Sequence, residues 1–177
     1  RLFYIAPIFR YERPQAGRYR QHWQFGVEAI GDPNPEVDAE TIHLLWSFLA
    51  HLGLADLGLQ KLSLRINSIG DEVCRPAYLE SVRAHYLPNL DDVCDDCRVR
   101  YEKNPLRLLD CKQNRCQPVI DSAPEISGFL CEACSEHFAR VRSILDLWNI
   151  PYKIAPRLVR GLDYYTRTVF EVHPATE

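Results

Sequence analysis

A chain of 177 residues can bury the core of one domain, or of one domain carrying a small insert. With 21 Lys and Arg against 24 Asp and Glu the formal net charge is -3, so there is no overall basic field and any nucleic-acid contact must be local. No apolar run approaches membrane-spanning length and no signal-peptide pattern is read, while seven cysteines favour reduced thiols or a metal site over disulfides; the expectation is a cytoplasmic protein. The sequence opens inside strand-like residues without a methionine and stops shortly after another such run, so it reads as a piece of a longer polypeptide.

Residues 2 to 12 and 19 to 27 are rich in aromatic and β-branched types and flank a loop holding Pro14 and Gly17, which predicts a hairpin. Strand alternation puts Arg10 and Glu12 on one face of the first strand. It puts Arg20, His22, Gln24 and Glu28 on one face of the second, with Trp23, Phe25 and Val27 as the apolar back. Arginine forks donate paired charged hydrogen bonds to phosphate and carboxylate oxygens, and Arg10, Arg13, Arg18 and Arg20 surround a single loop, so a polyanion is the natural guest. The plainer alternative is a solvated hairpin whose Arg and Glu pair across strands.

After the Gly31-Asp32-Pro33 turn, Asn34-Pro35 reads as a helix N-cap and first position. Val37, Thr41, Leu44, Leu45, Phe48, Leu49 and Leu52 follow at helical spacing, with Gly53 as the stop. Lys61 to Asn67 alternates as a strand covered on one face, expected to join the hairpin's sheet. From Gly70-Asp71 to about Asn149 the character changes to an inserted helical module, with helices predicted from Arg75-Pro76 to Tyr86, from Asp92 to Lys103 and from Phe129 to Trp148. The organisation expected is catalytic-type core over 1–70, insertion over 71–149 and return to the core over 150–177.

Within the insert, Cys94-x-x-Cys97 and Cys131-x-x-Cys134 leave two readings open. Four thiolates from the two pairs would hold a structural zinc ion; alternatively each pair faces the core from a helix as small hydrophobes. No residue is assigned as a metal ligand at this stage. The last stretch, Leu158 to Glu171, sets Arg160 beside Gly161, then Tyr164 and Tyr165, then a strand; the glycine lets the backbone approach closely so that the guanidinium can be aimed.

Phe9-Arg10-Tyr11-Glu12, followed by Arg18 and the second strand, resembles motif 2 of class II aminoacyl-tRNA synthetases. Asn104 to Lys112 resembles a signature of the insertion in bacterial histidyl-tRNA synthetases, where that module approaches the acceptor stem of the tRNA. The run Leu158 to Glu171 resembles the histidine-specific motif of the same family, and the matches lie in the right order. The fold implied is α+β: a class II aminoacyl-tRNA synthetase-like mixed, mostly antiparallel sheet flanked by helices, interrupted by a helical insertion.

The resemblance further implies a histidine-tRNA ligase that activates L-histidine with ATP, delivered with Mg2+ as a substrate, and transfers it to tRNA(His). No permanent cofactor is assigned. By resemblance Arg10 holds the α-phosphate, Glu12 contacts the nucleotide and tRNA end, and Arg18 reaches the outer phosphates. His22 stands where relatives stack a phenylalanine on adenine, because this chain has His22-Trp23 in place of Phe-His. Arg160 approaches the substrate carboxylate and the same phosphate as Arg10. Gln24 lies near the amino end, Glu28 and Tyr165 satisfy the imidazole nitrogens, and Tyr164 lines the pocket. A homodimer is implied for the full-length protein, and the fragment alone is expected to be inactive for want of motifs 1 and 3. The rival reading is the catalytically silent regulatory subunit of ATP phosphoribosyltransferase, and a more distant one is a synthetase-like domain fused to a stress-response kinase.

Overall fold

The computed structural model describes residues 1–11, 14, 16–54, 62–162 and 164–174. The chain opens with the hairpin: β1 (Leu2–Phe9) and β2 (Gln21–Glu28) run antiparallel, from Leu2 opposite Glu28 to Phe9 opposite Gln21. The Arg10 amide donates to the Arg20 carbonyl at 2.8 Å and carries the ladder one step further. Directly opposed residues of an antiparallel pair share a face. One face therefore carries Tyr4, Ala6 and Ile8 with His22, Gln24, Gly26 and Glu28. The other carries Phe3, Ile5, Pro7 and Phe9 with Trp23, Phe25 and Val27. This apolar back is covered at only one end, where the Phe25 ring lies 4.4 Å from Phe48; Trp23 stays 71% exposed.

Helix α1 (Pro35–Leu49) starts where Asn34-Pro35 predicts. Asn34 has the extended backbone of a cap, yet its side chain turns back to donate to Asp32 Oδ1 at 2.7 Å instead of capping the helix. A looser last turn, Ala50–Leu54, ends the helical run with Gly53 at φ +75°, a conformation that glycine adopts without steric cost.

Strand β3 (Leu62–Ser68) corrects the expectation that it would extend the hairpin. It pairs in parallel with β4 (Tyr152–Ile154) and antiparallel with β5 (Thr168–Pro174), so both its edges are filled and the hairpin stands as a separate two-stranded sheet. Between β3 and β4 come α2 (Arg75–Tyr86), α3 (Asp95–Lys103), α4 (Gln117–Asp121) and α5 (Glu132–Leu147).

Two apolar cores result. Leu64 and Ile66 of β3 pack with Ile42 of α1 and with Val141, Leu145 and Ile150 in and after α5. The inserted segments build their own core from Tyr78, Val82 and Tyr86 of α2 with Val93, Cys97, Leu106, Leu108, Cys116 and Ile120, closed against β5 by Val169. The long last helix of the insert thus lies on the sheet layer. Its polar side is tied to α1 by Arg140 Nε donating to Glu36 Oε1 at 2.8 Å, a contact that holds the Glu36 carboxyl below its usual range. Leu145 is fully buried where α5 meets β3, so Leu145→Ala is expected to destabilise the protein by about 2–5 kcal/mol, read as a lowered midpoint in thermal or denaturant unfolding.

Candidate active site

The polar face of the hairpin is organised by two side-chain pairs. Arg10 Nη2 lies 2.8 Å from Nε2 and 3.3 Å from Nδ1 of His22; because arginine can only donate, the imidazole meets it as an acceptor. Two rungs along, Gln24 Nε2 donates to the Tyr4 hydroxyl at 2.7 Å. This second pair depends on Gly26, for a Cβ there would stand 2.3 Å from Tyr4 Cζ. Tyr4 and Gly26 face each other across the hairpin and received no role from the sequence, since their contact follows only from the register. Glu28, expected as a buried acceptor, is exposed at the hairpin's root beside Arg1 and Leu44 of a shallow cavity against α1. Arg18 is exposed in the connecting loop; Glu12 lies outside the described residues.

The second half of the site sits on the connection between β4 and β5. Buried Asn67 of β3 donates from Nδ2 to the carbonyls of Pro156 (3.3 Å) and Leu158 (3.0 Å), fixing the loop from below. From the other side Arg157 donates to the carbonyls of Asp121 (3.1 Å), Ala123 (2.6 Å) and Pro124 (3.0 Å), binding the loop to the end of α4. Arg160 follows on this pinned backbone. Its Nη1 donates to Glu171 Oε1 at 2.9 Å, its Nη2 donates to the Phe170 carbonyl, and its guanidinium lies 5.9 Å from the Tyr165 ring centre. Glu171 in turn holds His173, with Oε2 to Nε2 at 2.8 Å.

Tyr165 stacks on Tyr164 with ring centres 4.7 Å apart. The Tyr164 phenol is pushed above its ordinary value, first by its hydrogen bond with Tyr165 and, at longer range, by the negative charge of Glu28. Arg10 and Arg160 share none of the five cavities described among these residues. Arg160 lines a cavity shared with Arg65, Arg107, Lys112 and Arg157 against Asp110, Asp121 and Glu171, an excess of positive charge suited to an anion. Arg107 belongs to the Asn104–Lys112 run; its guanidinium lies 3.8 Å from where a Gly161 Cβ would stand, so that run abuts the Arg160 loop.

The cysteines also fall differently from either reading. Cys94-Cys97 and Cys131-Cys134 do not converge on each other; each pair stands with other ligand-type residues, Cys111 and Cys116 in the first case and Asp71 and Cys74 in the second.

The fold has a solved counterpart. The apo histidyl-tRNA synthetase of S. aureus superposes with a TM-score of 0.65 at 40% identity, over 96% of this chain and 37% of that one. A mixed sheet flanked by helices, together with the separate arginine hairpin and the Arg160 loop, defines the chain as class II aminoacyl-tRNA synthetase core. The family model described as Histidyl-tRNA synthetase matches residues 1–175. Histidine–tRNA ligases of Dehalococcoides mccartyi strain 195 and of Anaeromyxobacter sp. strain K are 49% and 50% identical over 177 and 169 residues. The chain belongs to the histidyl-tRNA synthetase family. It spans about two fifths of the length of these relatives, 41% and 39% respectively.

Gly26→Ala is expected to expel the Tyr4 ring from its place beside Gln24 and lower stability, and Tyr4→Ala in the same chain to restore most of the loss, because the clash needs both partners. A double-mutant cycle on thermal unfolding checks this; additive losses would contradict it.

Proposed function

We propose that the chain is part of the catalytic core of a histidine–tRNA ligase, which joins L-histidine to ATP as histidyl-adenylate and passes the acyl group to tRNA(His). The observation that carries this reading is the match of residues 1–175 to the histidyl-tRNA synthetase family, supported by the Asn67- and Arg157-pinned loop that presents Arg160 beside the Tyr165 ring. The names of the relatives support a ligase over a regulatory subunit.

In the first step a histidine carboxylate oxygen bonds to the α-phosphorus of ATP and the bond to pyrophosphate breaks, with magnesium arriving on the nucleotide. Negative charge grows on the phosphoryl oxygens, so positioned cations lower the barrier. Arg160, held ready by Glu171 and the Phe170 carbonyl, takes the substrate carboxylate. Arg10 takes the α-phosphate, which draws it from His22 and frees that ring to stack on adenine. Arg18 and Glu12 serve the outer phosphates and the nucleotide. Gln24 binds the amino end, Glu28 and Tyr165 satisfy the two ring nitrogens, and Tyr164 walls the pocket. Residues 1–70 and 150–177 form the core and 71–149 the insertion that approaches the tRNA acceptor stem. The described residues include no helix long and apolar enough to cross a membrane. By the family resemblance the intact protein is proposed to act as a cytoplasmic homodimer.

Histidine-dependent exchange of pyrophosphate into ATP by the intact protein is the test; no exchange would overturn the assignment, while the isolated 177-residue chain is expected to show none. Glu28→Ala should raise KM for histidine roughly tenfold or more with a smaller change in kcat, since one buried unpaired ring nitrogen costs about 1–3 kcal/mol. An unchanged KM would remove Glu28 from this role.

A further inference from the structure

We propose that the inserted module holds two structural zinc ions, one on Cys94, Cys97, Cys111 and Cys116 and one on Asp71, Cys74, Cys131 and Cys134. In each group the four ligand atoms lie within 4.8 Å of one another, brought together from separate segments of chain. Thiolates about 2.3 Å from a tetrahedral zinc stand about 3.8 Å apart, and a thiolate and a carboxylate oxygen stand about 3.5 Å apart. Cys94 Sγ to Cys111 Sγ is 3.8 Å, and Cys74 Sγ to Asp71 Oδ1 is 3.5 Å. A polynuclear iron–sulfur cluster needs its thiolates farther apart, because irons and sulfides must fit between them.

The surroundings fit thiolates better than packed thiols. Cys94 and Cys131 each precede a helix with extended backbone, and Cys97 and Cys134 lie in the first turns of α3 and α5. Both pairs thus sit at helix N-termini, where amide N–H groups and the positive end of the dipole favour sulfur anions. Backbone amides also point at sulfur directly: Cys94 N to Cys116 Sγ at 3.2 Å, Asp71 N to Cys74 Sγ at 3.4 Å and Gln113 N to Cys111 Sγ at 3.5 Å. Tyr86, whose hydroxyl is buried without a hydrogen-bond partner among the described residues, shares the insert's core with Cys97, Cys111 and Cys116. At the other group Gly70 keeps room for a ligand, since a Cβ there would stand 2.7 Å from Cys74 Sγ.

Four protein ligands leave no open position, so the role is structural. The first ion fastens α3 to the turns around Cys111 and Cys116, in the middle of the insert's core. The second joins the segment leaving β3 to the start of α5, the two ends of the insert.

Elemental analysis of the intact protein, purified without a metal-affinity resin, should find two zinc ions per chain, falling to one in Cys97→Ser and to one in Cys131→Ser. Should either variant fail to fold, cobalt substitution of the unaltered protein gives an independent reading: two equivalents with sulfur-to-cobalt charge-transfer bands and tetrahedral ligand-field absorption. Zinc below half an equivalent, iron in its place, or an octahedral cobalt spectrum overturns the proposal; one equivalent in the unaltered protein that Cys131→Ser retains overturns the Asp71–Cys134 site, and one that Cys97→Ser retains overturns the four-cysteine site. Thiol titration in denaturant with chelator should count all seven cysteines; a count of five or three, the mark of one or two disulfides, overturns at least one site, and a count of one overturns both.

Discussion

The pairing of β3 with β5 is the constraint on which the rest of the molecule depends. It sets Ser68 opposite Thr168 and Leu62 opposite Pro174, and so closes a loop of about a hundred residues onto one ladder. Beyond the last rung the Ile69 amide donates to the Arg167 carbonyl and the Arg167 amide to the Gly70 carbonyl, both at 2.8 Å, with Arg167 in the left-handed region at φ +57°. A non-glycine residue in that region is tolerated where neighbouring bonds enforce it, and here two do. The same strand supplies Asn67, whose amide fixes the Arg160 loop, and Leu64 and Ile66, which seat α1 and α5. Site geometry and core packing are thus two faces of one short strand.

Much of this was legible in the chain itself. Alternation and helical spacing located the hairpin, α1, β3 and the long helices of the insert, because each is long enough to show its period. Strand β4 is only Tyr152–Ile154, too short for alternation to register, and without it the partners of β3 could not be read. The hairpin's separation from β3 is likewise a matter of which edges are already filled, a tertiary fact that no local pattern encodes.

The site divides in the same way. That Glu28, Tyr164 and Tyr165 belong to one pocket rests on motif resemblance; the structure adds the stacking of Tyr164 on Tyr165. The separate engagements of Arg10 with His22 and of Arg160 with Glu171 were not legible, since each depends on a partner on a neighbouring rung or strand. The cysteines make the point most sharply. The C-x-x-C pairs stand out in sequence, but Cys111, Cys116, Cys74 and Asp71 complete them only after chain reversals that spacing does not reveal. Arg157 gave no signal at all; an arginine that donates to three backbone carbonyls looks, in sequence, like any solvated cation.

The closeness of Asp71 and Cys131, whose Oδ1 and Sγ are 3.9 Å apart, has a consequence for how such a chain can vary. Some sixty residues leave and rejoin the same spot, yet they are sewn to the strands at further seams: Val169 of β5 enters their core, Arg157 bonds the carbonyls at the end of α4, and Arg75 bonds the Tyr165 carbonyl. Insertions are therefore tolerated at exposed turns remote from these seams, whereas a change of length beside them shifts the Arg160 loop as well.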